Sequence, residues 1–81
     1  MKDKVNNKFD NASNTTQMVK DFIEIIKSVK GNTNDIKDCF KAVTEYCKEE
    51  PYYDHLKDSI IRQVDVDMLG TADINDVAEL F

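Results

Sequence analysis

The chain is poor in helix-breaking residues and in the residues that build metal or redox sites. Its 81 residues include one proline, two glycines, two cysteines, one histidine and no tryptophan. No CxxC pair and no Cys–His cluster occurs, which argues against a zinc site. Cys39 and Cys47 are eight residues apart on one predicted helix, a separation of roughly 12 Å at about 1.5 Å per residue, which is too far for a disulfide.

Long apolar runs are also missing. No stretch approaches the length that crosses a bilayer, and the N-terminus lacks the apolar core of a signal sequence. We therefore expect a cytoplasmic protein. A chain of 81 residues has room for one small domain with a modest core.

Positive charge is absent from the C-terminal part of the chain. The full sequence has 11 basic and 16 acidic residues, a net charge of −5. Residues 65–81 contain five acids and no lysine or arginine, so this stretch carries the whole excess. The acidic balance argues against nucleic acid and anionic membranes as partners, and it favours a basic protein.

Helical spacing of apolar residues dominates the rest of the sequence, and the alternation typical of strands is absent. The pattern predicts an all-α fold with breaks near Gly31, Pro51 and Gly70. The four predicted helices cover about 15–29, 34–48, 51–64 and 73–81. Asn14 and Gln17 form a plausible capping box at the first of these helices.

The N-terminal segment is polar and rich in asparagine. We interpret residues 1–14 as a flexible polar tail that precedes a single domain over residues 15–81. Phe9 is the exception within the tail, and we expect this lone aromatic side chain to be exposed to solvent.

Acidic residues recur in the last predicted loop at a regular spacing. Positions 1, 3, 6, 9 and 12 of a twelve-residue frame are Asp65, Asp67, Gly70, Asp73 and Asp76. This is the frame of an EF-hand calcium loop, in which the sixth residue is glycine because the chain turns sharply there.

The helices before the two predicted loops share a second pattern. Phe22, Ile25, Ile26 and Val29 follow offsets of 0, 3, 4 and 7, and the same offsets recur 35 residues later, ending at Val64. Residues 15–81 therefore resemble a single degenerate lobe of the calmodulin, S100 and myosin light chain superfamily. The resemblance implies four helices arranged as two paired helix–loop–helix units.

The resemblance also implies a set of metal ligands, which are Asp65, Asp67, Thr71, Asp73 and Asp76. Leu69 replaces an oxygen ligand, and Asp76 is one methylene shorter than the glutamate that the family prefers. Calcium requires about six to eight oxygen ligands. We therefore expect weak calcium binding or none, and no other cofactor.

An EF-hand lobe without calcium dependence implies a light chain that clasps a basic amphipathic helix, such as the IQ motif in the neck of a myosin heavy chain. The resemblance implies these partner-binding residues: Met18, Phe22, Ile26, Phe40, Val43, Ile61, Met68, Val77 and Glu79. We expect no enzymatic activity, because no oxyanion hole or Gly-rich strand–turn–helix accompanies His55 and the cysteines.

A different class of function is indicated by the residues around Pro51. Three tyrosines and four acids cluster there: Tyr46, Tyr52, Tyr53, Glu45, Glu49, Glu50 and Asp54. Such a surface resembles those of small acidic inhibitors, the immunity proteins and antitoxins, that mask a basic toxin or nuclease. The simpler interpretation is that the tyrosines pack the junction and the acids are solvated. A light chain requires a groove between helices, whereas an inhibitor requires an acidic convex face.

Overall fold

A computed structural model describes residues 2–29 and 32–67, and within these ranges the chain forms helices and no strands. The helices are α1 (Lys2–Asp10), α2 (Thr15–Ser28), α3 (Thr33–Cys47) and α4 (Tyr53–Asp67). The predicted all-α class is confirmed. None of these four helices combines the length and apolarity that crossing a membrane requires.

Asparagine side chains begin both central helices. Asn14 accepts a hydrogen bond from the backbone N–H of Gln17 at 2.9 Å, and Asn32 accepts one from Asp35 at 3.1 Å. Each bond satisfies an N–H that has no partner within the helix. Only one side of the predicted capping box forms within the described residues; the Gln17 side-chain N–H group donates to the Asp21 carboxylate at 3.0 Å.

The core forms where the apolar stripes of the helices meet. Phe22 of α2 and Phe40 of α3 contact each other edge to face, with ring centroids 5.1 Å apart, a geometry that aromatic quadrupoles favour. Leu56 and Ile60 of α4 are fully buried in the same cluster. α2 packs against α3 and α4, while α1 packs mainly against α3 and also against α2.

Helix α1 corrects the interpretation of residues 1–14 as a flexible polar tail. Val5 and Phe9 lie four residues apart on one face of α1, and both are buried, with 0% and 4% of their surface exposed. The expectation that Phe9 is solvent-exposed is therefore wrong. A helix this short is marginal in isolation, so tertiary packing of these two side chains stabilises it.

The bounds of α4 also differ from the prediction. Pro51 lies in the turn before α4, and the helix begins at Tyr53. Val64 does not end the helix, which continues to Asp67, because no breaking residue follows Val64 until Gly70. By contrast, Val29 caps the C-terminus of α2 as expected. The breaks at Gly31 and Gly70 and the helix over 73–81 lie outside the described residues.

Candidate functional site

The residues predicted to line a partner groove are mostly core residues. Met18, Phe22, Ile26, Phe40 and Val43 are each at most 7% exposed. Ile61 is half-buried against the same cluster, and Met68, Val77 and Glu79 lie outside the described residues. Burial of apolar surface is the main stabilising contribution in a small domain, so these stripes close on one another instead of forming an open groove.

The two predicted metal ligands within the described residues belong to a helix rather than a loop. Asp65 and Asp67 lie in the last turn of α4, and side chains two residues apart on a helix do not face each other. Asp67 pairs with Lys27 of α2 at 3.8 Å. Thr71, Asp73 and Asp76 lie outside the described residues. Within residues 2–29 and 32–67, no group of three His, Cys, Asp or Glu side chains could hold a metal ion.

Micromolar calcium should therefore leave the protein unchanged. Isothermal calorimetry should give no submicromolar binding, because Leu69 supplies no side-chain oxygen and Asp65 and Asp67 do not converge. If the wild-type chain binds calcium weakly, the double substitution Leu69→Asp and Asp76→Glu should increase the affinity by raising both ligand charge and reach. Submicromolar binding by the wild-type chain would contradict this expectation.

The turn between α3 and α4 carries the acids and tyrosines that the sequence singled out; we call residues 45–54 the tyrosine turn. Glu49, Glu50 and Asp54 are exposed, and no salt bridge within the described residues engages them. Tyr52 is half-buried beside them. The turn therefore presents unpaired carboxylates next to an accessible aromatic ring.

Internal contacts fix the other two tyrosines. The Tyr53 hydroxyl lies 3.3 Å from the Thr44 hydroxyl, and the Lys57 ammonium lies 5.4 Å from the centre of the Tyr53 ring. The Tyr46 hydroxyl donates to the Asp10 carboxylate at 2.5 Å, and its ring contacts Phe9 edge to face at 5.4 Å. These contacts match the simpler interpretation of the cluster, in which the tyrosines pack the junction and the acids stay in solvent.

The hydrogen bond to Asp10, together with burial, raises the pKa of Tyr46 to about 12. Because the protonated phenol is favoured in the folded state, this stabilisation is complete below pH of about 10 and is lost as pH rises towards 12. Tyr46→Phe should lower the free energy of unfolding by about 0.5–1 kcal/mol at neutral pH. In urea unfolding, the free energy of unfolding of this variant should also fall less steeply at alkaline pH.

Asp10→Asn is the matched control for Tyr46→Phe, because it keeps an acceptor and removes the charge. It should flatten the alkaline decline in the same way. If the free energy of unfolding falls as steeply at alkaline pH in both variants as in the wild-type chain, then Tyr46 and Asp10 do not interact as described.

A groove of about 480 Å³ runs between α2 and α4. It is lined by Thr15, Thr16, Val19, Lys20, Ile23, Glu24, Lys27, His55, Ser59, Gln63 and Asp67. Two lysines and two acids contribute to this lining, so it lacks the acidic rim that a basic helix requires. The spacing of 55, 59, 63 and 67 at every fourth residue marks one face of α4, a signal that sequence analysis could have used.

The cysteines and the histidine do not form a catalytic pair in the part of the chain that the structure describes. Cys39 and Cys47 are free and buried in α3. Burial raises the pKa of both thiols, that of Cys47 to about 11. A buried protonated thiol is a poor nucleophile, while His55 is exposed beside the groove.

Comparison with known proteins gives no relative: no protein-family model, no curated protein and no solved structure matches the chain. The proposed function therefore rests on the geometry of the chain itself. The acids and tyrosines of the tyrosine turn are recognisable from the sequence. Phe9 and Asp10, which support Tyr46 from the segment interpreted as a tail, are not.

Proposed function

We propose that this chain is a non-enzymatic binding protein that recognises a basic protein surface through the tyrosine turn. The observation that carries the proposal is the exposure of Glu49, Glu50 and Asp54 beside Tyr52, on a turn held by contacts from α1, α3 and α4. This arrangement suits an inhibitor of the immunity-protein or antitoxin class, in which acids mask the basic site of a toxin or nuclease.

Preorganisation supports this role. Two of the three tyrosines, Tyr46 and Tyr53, are already fixed by internal contacts. The turn therefore loses less conformational freedom when it binds, so more of the interaction energy contributes to affinity. Tyrosine is enriched among residues that dominate binding energy at interfaces, and surrounding charges steer association. Tyr52 is the expected anchor, because its hydroxyl has no hydrogen-bond partner within the described residues.

A second candidate is the light-chain function, in which the protein clasps a basic amphipathic helix without requiring calcium. The specific observation in its favour is α1, a lysine-rich helix that seats Val5 and Phe9 on α3 and α2. The fold thus already accommodates a helix of the predicted chemistry, and its two apolar side chains join the buried cluster that contains Met18, Phe22, Ile26, Phe40 and Val43. The EF-hand-like pairing of the helices and the myosin-type target belong to this proposal.

Capture of partners from a lysate of the native cells tests the primary proposal. The immobilised wild-type chain should retain a basic protein, and the variant Glu49→Gln, Glu50→Gln, Tyr52→Ala should lose it. The variant Glu24→Gln, Asp38→Asn removes two exposed acids from α2 and α3 and should still retain the protein. Equal retention by all three chains would contradict the proposal.

A further inference from the structure

Helix α1 is bound to the rest of the molecule in the way that a partner helix is bound in a groove. Its two buried side chains, Val5 and Phe9, are separated by one turn, as are the anchors of helix-in-groove ligands. Phe9 contacts the Tyr46 ring, and Lys2 pairs with Glu45 at 3.3 Å. α1 carries three lysines against two aspartates, so the seated helix is basic as well as amphipathic.

Several features oppose this attachment. α1 has nine residues, fewer than the roughly 12–15 that an isolated helix needs in water. The Asn6 side-chain oxygen is buried without a hydrogen-bond partner among the described residues, and such a group opposes burial. The Lys2–Glu45 pair is exposed on both sides, and exposed pairs contribute little.

We propose that α1 can be displaced from the surface of α3 and α2 on which it packs, which we call the seat. A basic amphipathic helix of a partner protein then binds to the seat in place of α1. The proposal rests on the second proposed function and adds its regulation, because α1 must leave before the partner helix can bind. The resident helix defines the expected ligand: two apolar anchors four residues apart, the second of them aromatic, with lysines on the flanking faces.

Displacement of α1 would also change the contacts of the tyrosine turn. Phe9 and Asp10 hold the ring and hydroxyl of Tyr46, and both contacts are lost when α1 leaves. Occupancy of the seat therefore controls how firmly Tyr46 is fixed. A partner helix with an aromatic residue at the position of Phe9 would restore the ring contact.

Hydrogen exchange of the unmodified chain tests whether α1 can leave. Amides of α1 should exchange through a local opening that leaves the amides of α3 and α4 protected, since segments of a domain open at different free energies. If α1 amides exchange only in the global unfolding event that also exposes α3, then α1 is an integral part of the core and the proposal is overturned.

A fluorescein-labelled peptide of residues 2–14 tests whether the seat accepts a helix from solution. Phe9→Ala in the full chain weakens the resident helix, and this chain should bind the peptide at least roughly tenfold more tightly than wild type, since a larger fraction of seats is open. Asn6→Ala removes the unpartnered oxygen and should bind the peptide more weakly than wild type. A peptide carrying Phe9→Ala should not bind any of them.

A second variant that weakens the packing of α1 is needed in case the Phe9→Ala chain does not fold. Asn7→Pro breaks the α1 helix without changing the identity of Val5 or Phe9, and this chain should also bind the peptide more tightly than wild type. Equal affinity across these variants, or equal binding of the peptide that lacks its phenylalanine, would overturn the proposal. Glu49→Gln with Glu50→Gln should retain peptide binding, so failure of the tyrosine-turn function is distinguished from failure here.

Discussion

Phe22→Ala should remove most of the free energy of unfolding of the protein at room temperature. Phe22 is fully buried and contacts the Phe40 ring at 5.1 Å. Removing a buried phenylalanine side chain costs about 3–5 kcal/mol, through lost transfer energy and the cavity that remains. The total free energy of unfolding of a domain is only about 5–15 kcal/mol, and a short chain lies at the low end. Urea unfolding followed by circular dichroism measures the loss.

Val66→Ala is the control for this experiment. Val66 is 68% exposed near the end of α4, so its truncation should change the free energy of unfolding by less than about 0.5 kcal/mol. If Phe22→Ala were as stable as Val66→Ala, then Phe22 would not lie in the core, and the predicted partner groove that includes Phe22 would regain support.

Charge reversal on the tyrosine turn should have the second large effect, on the rate of association with the basic partner. Glu49→Lys with Glu50→Lys should slow association by roughly ten- to a hundredfold at low salt, because the attractive field becomes repulsive. The dissociation rate should change less. Stopped-flow or surface-based kinetics with the captured partner measures both rates.

A matched variant and a change in salt concentration distinguish the loss of electrostatic steering from disruption of the fold. Glu24→Lys with Asp38→Lys makes the same change in net charge on α2 and α3, and it should slow association much less. The difference between the two variants should shrink at high salt, since screening shortens the range of charge interactions. A salt-independent association rate for the wild-type chain would show that the acids of the turn do not steer the partner.

Local signals explain which parts of the fold were predictable from the sequence. α2 and α3 begin at asparagines whose side chains cap them, and each carries a dense apolar stripe. Such caps and stripes are encoded within a few residues, so the prediction of both helices is confirmed. α1 has only two apolar anchors in a polar segment, and its stability comes from α3 and α2, which local patterns do not reveal.

The residues of the candidate site also fall into a part that the sequence predicts and a part that it does not. The acids of the tyrosine turn were recognisable from composition, because charged side chains in a turn are exposed almost regardless of the fold. The proposed groove residues were not, because an amphipathic stripe predicts burial but does not distinguish a closed core from an open groove. Phe40 and Val43 illustrate the point, since both are at most 1% exposed.

Hydrogen exchange of the complex with the captured basic protein tests the central claim most directly. The account predicts new protection in residues 45–54, strongest at Tyr52 and the neighbouring acids, with the α2–α4 groove unchanged. Protection along the facing sides of α2 and α4, with none in the tyrosine turn, would contradict the account and place the binding surface in the groove.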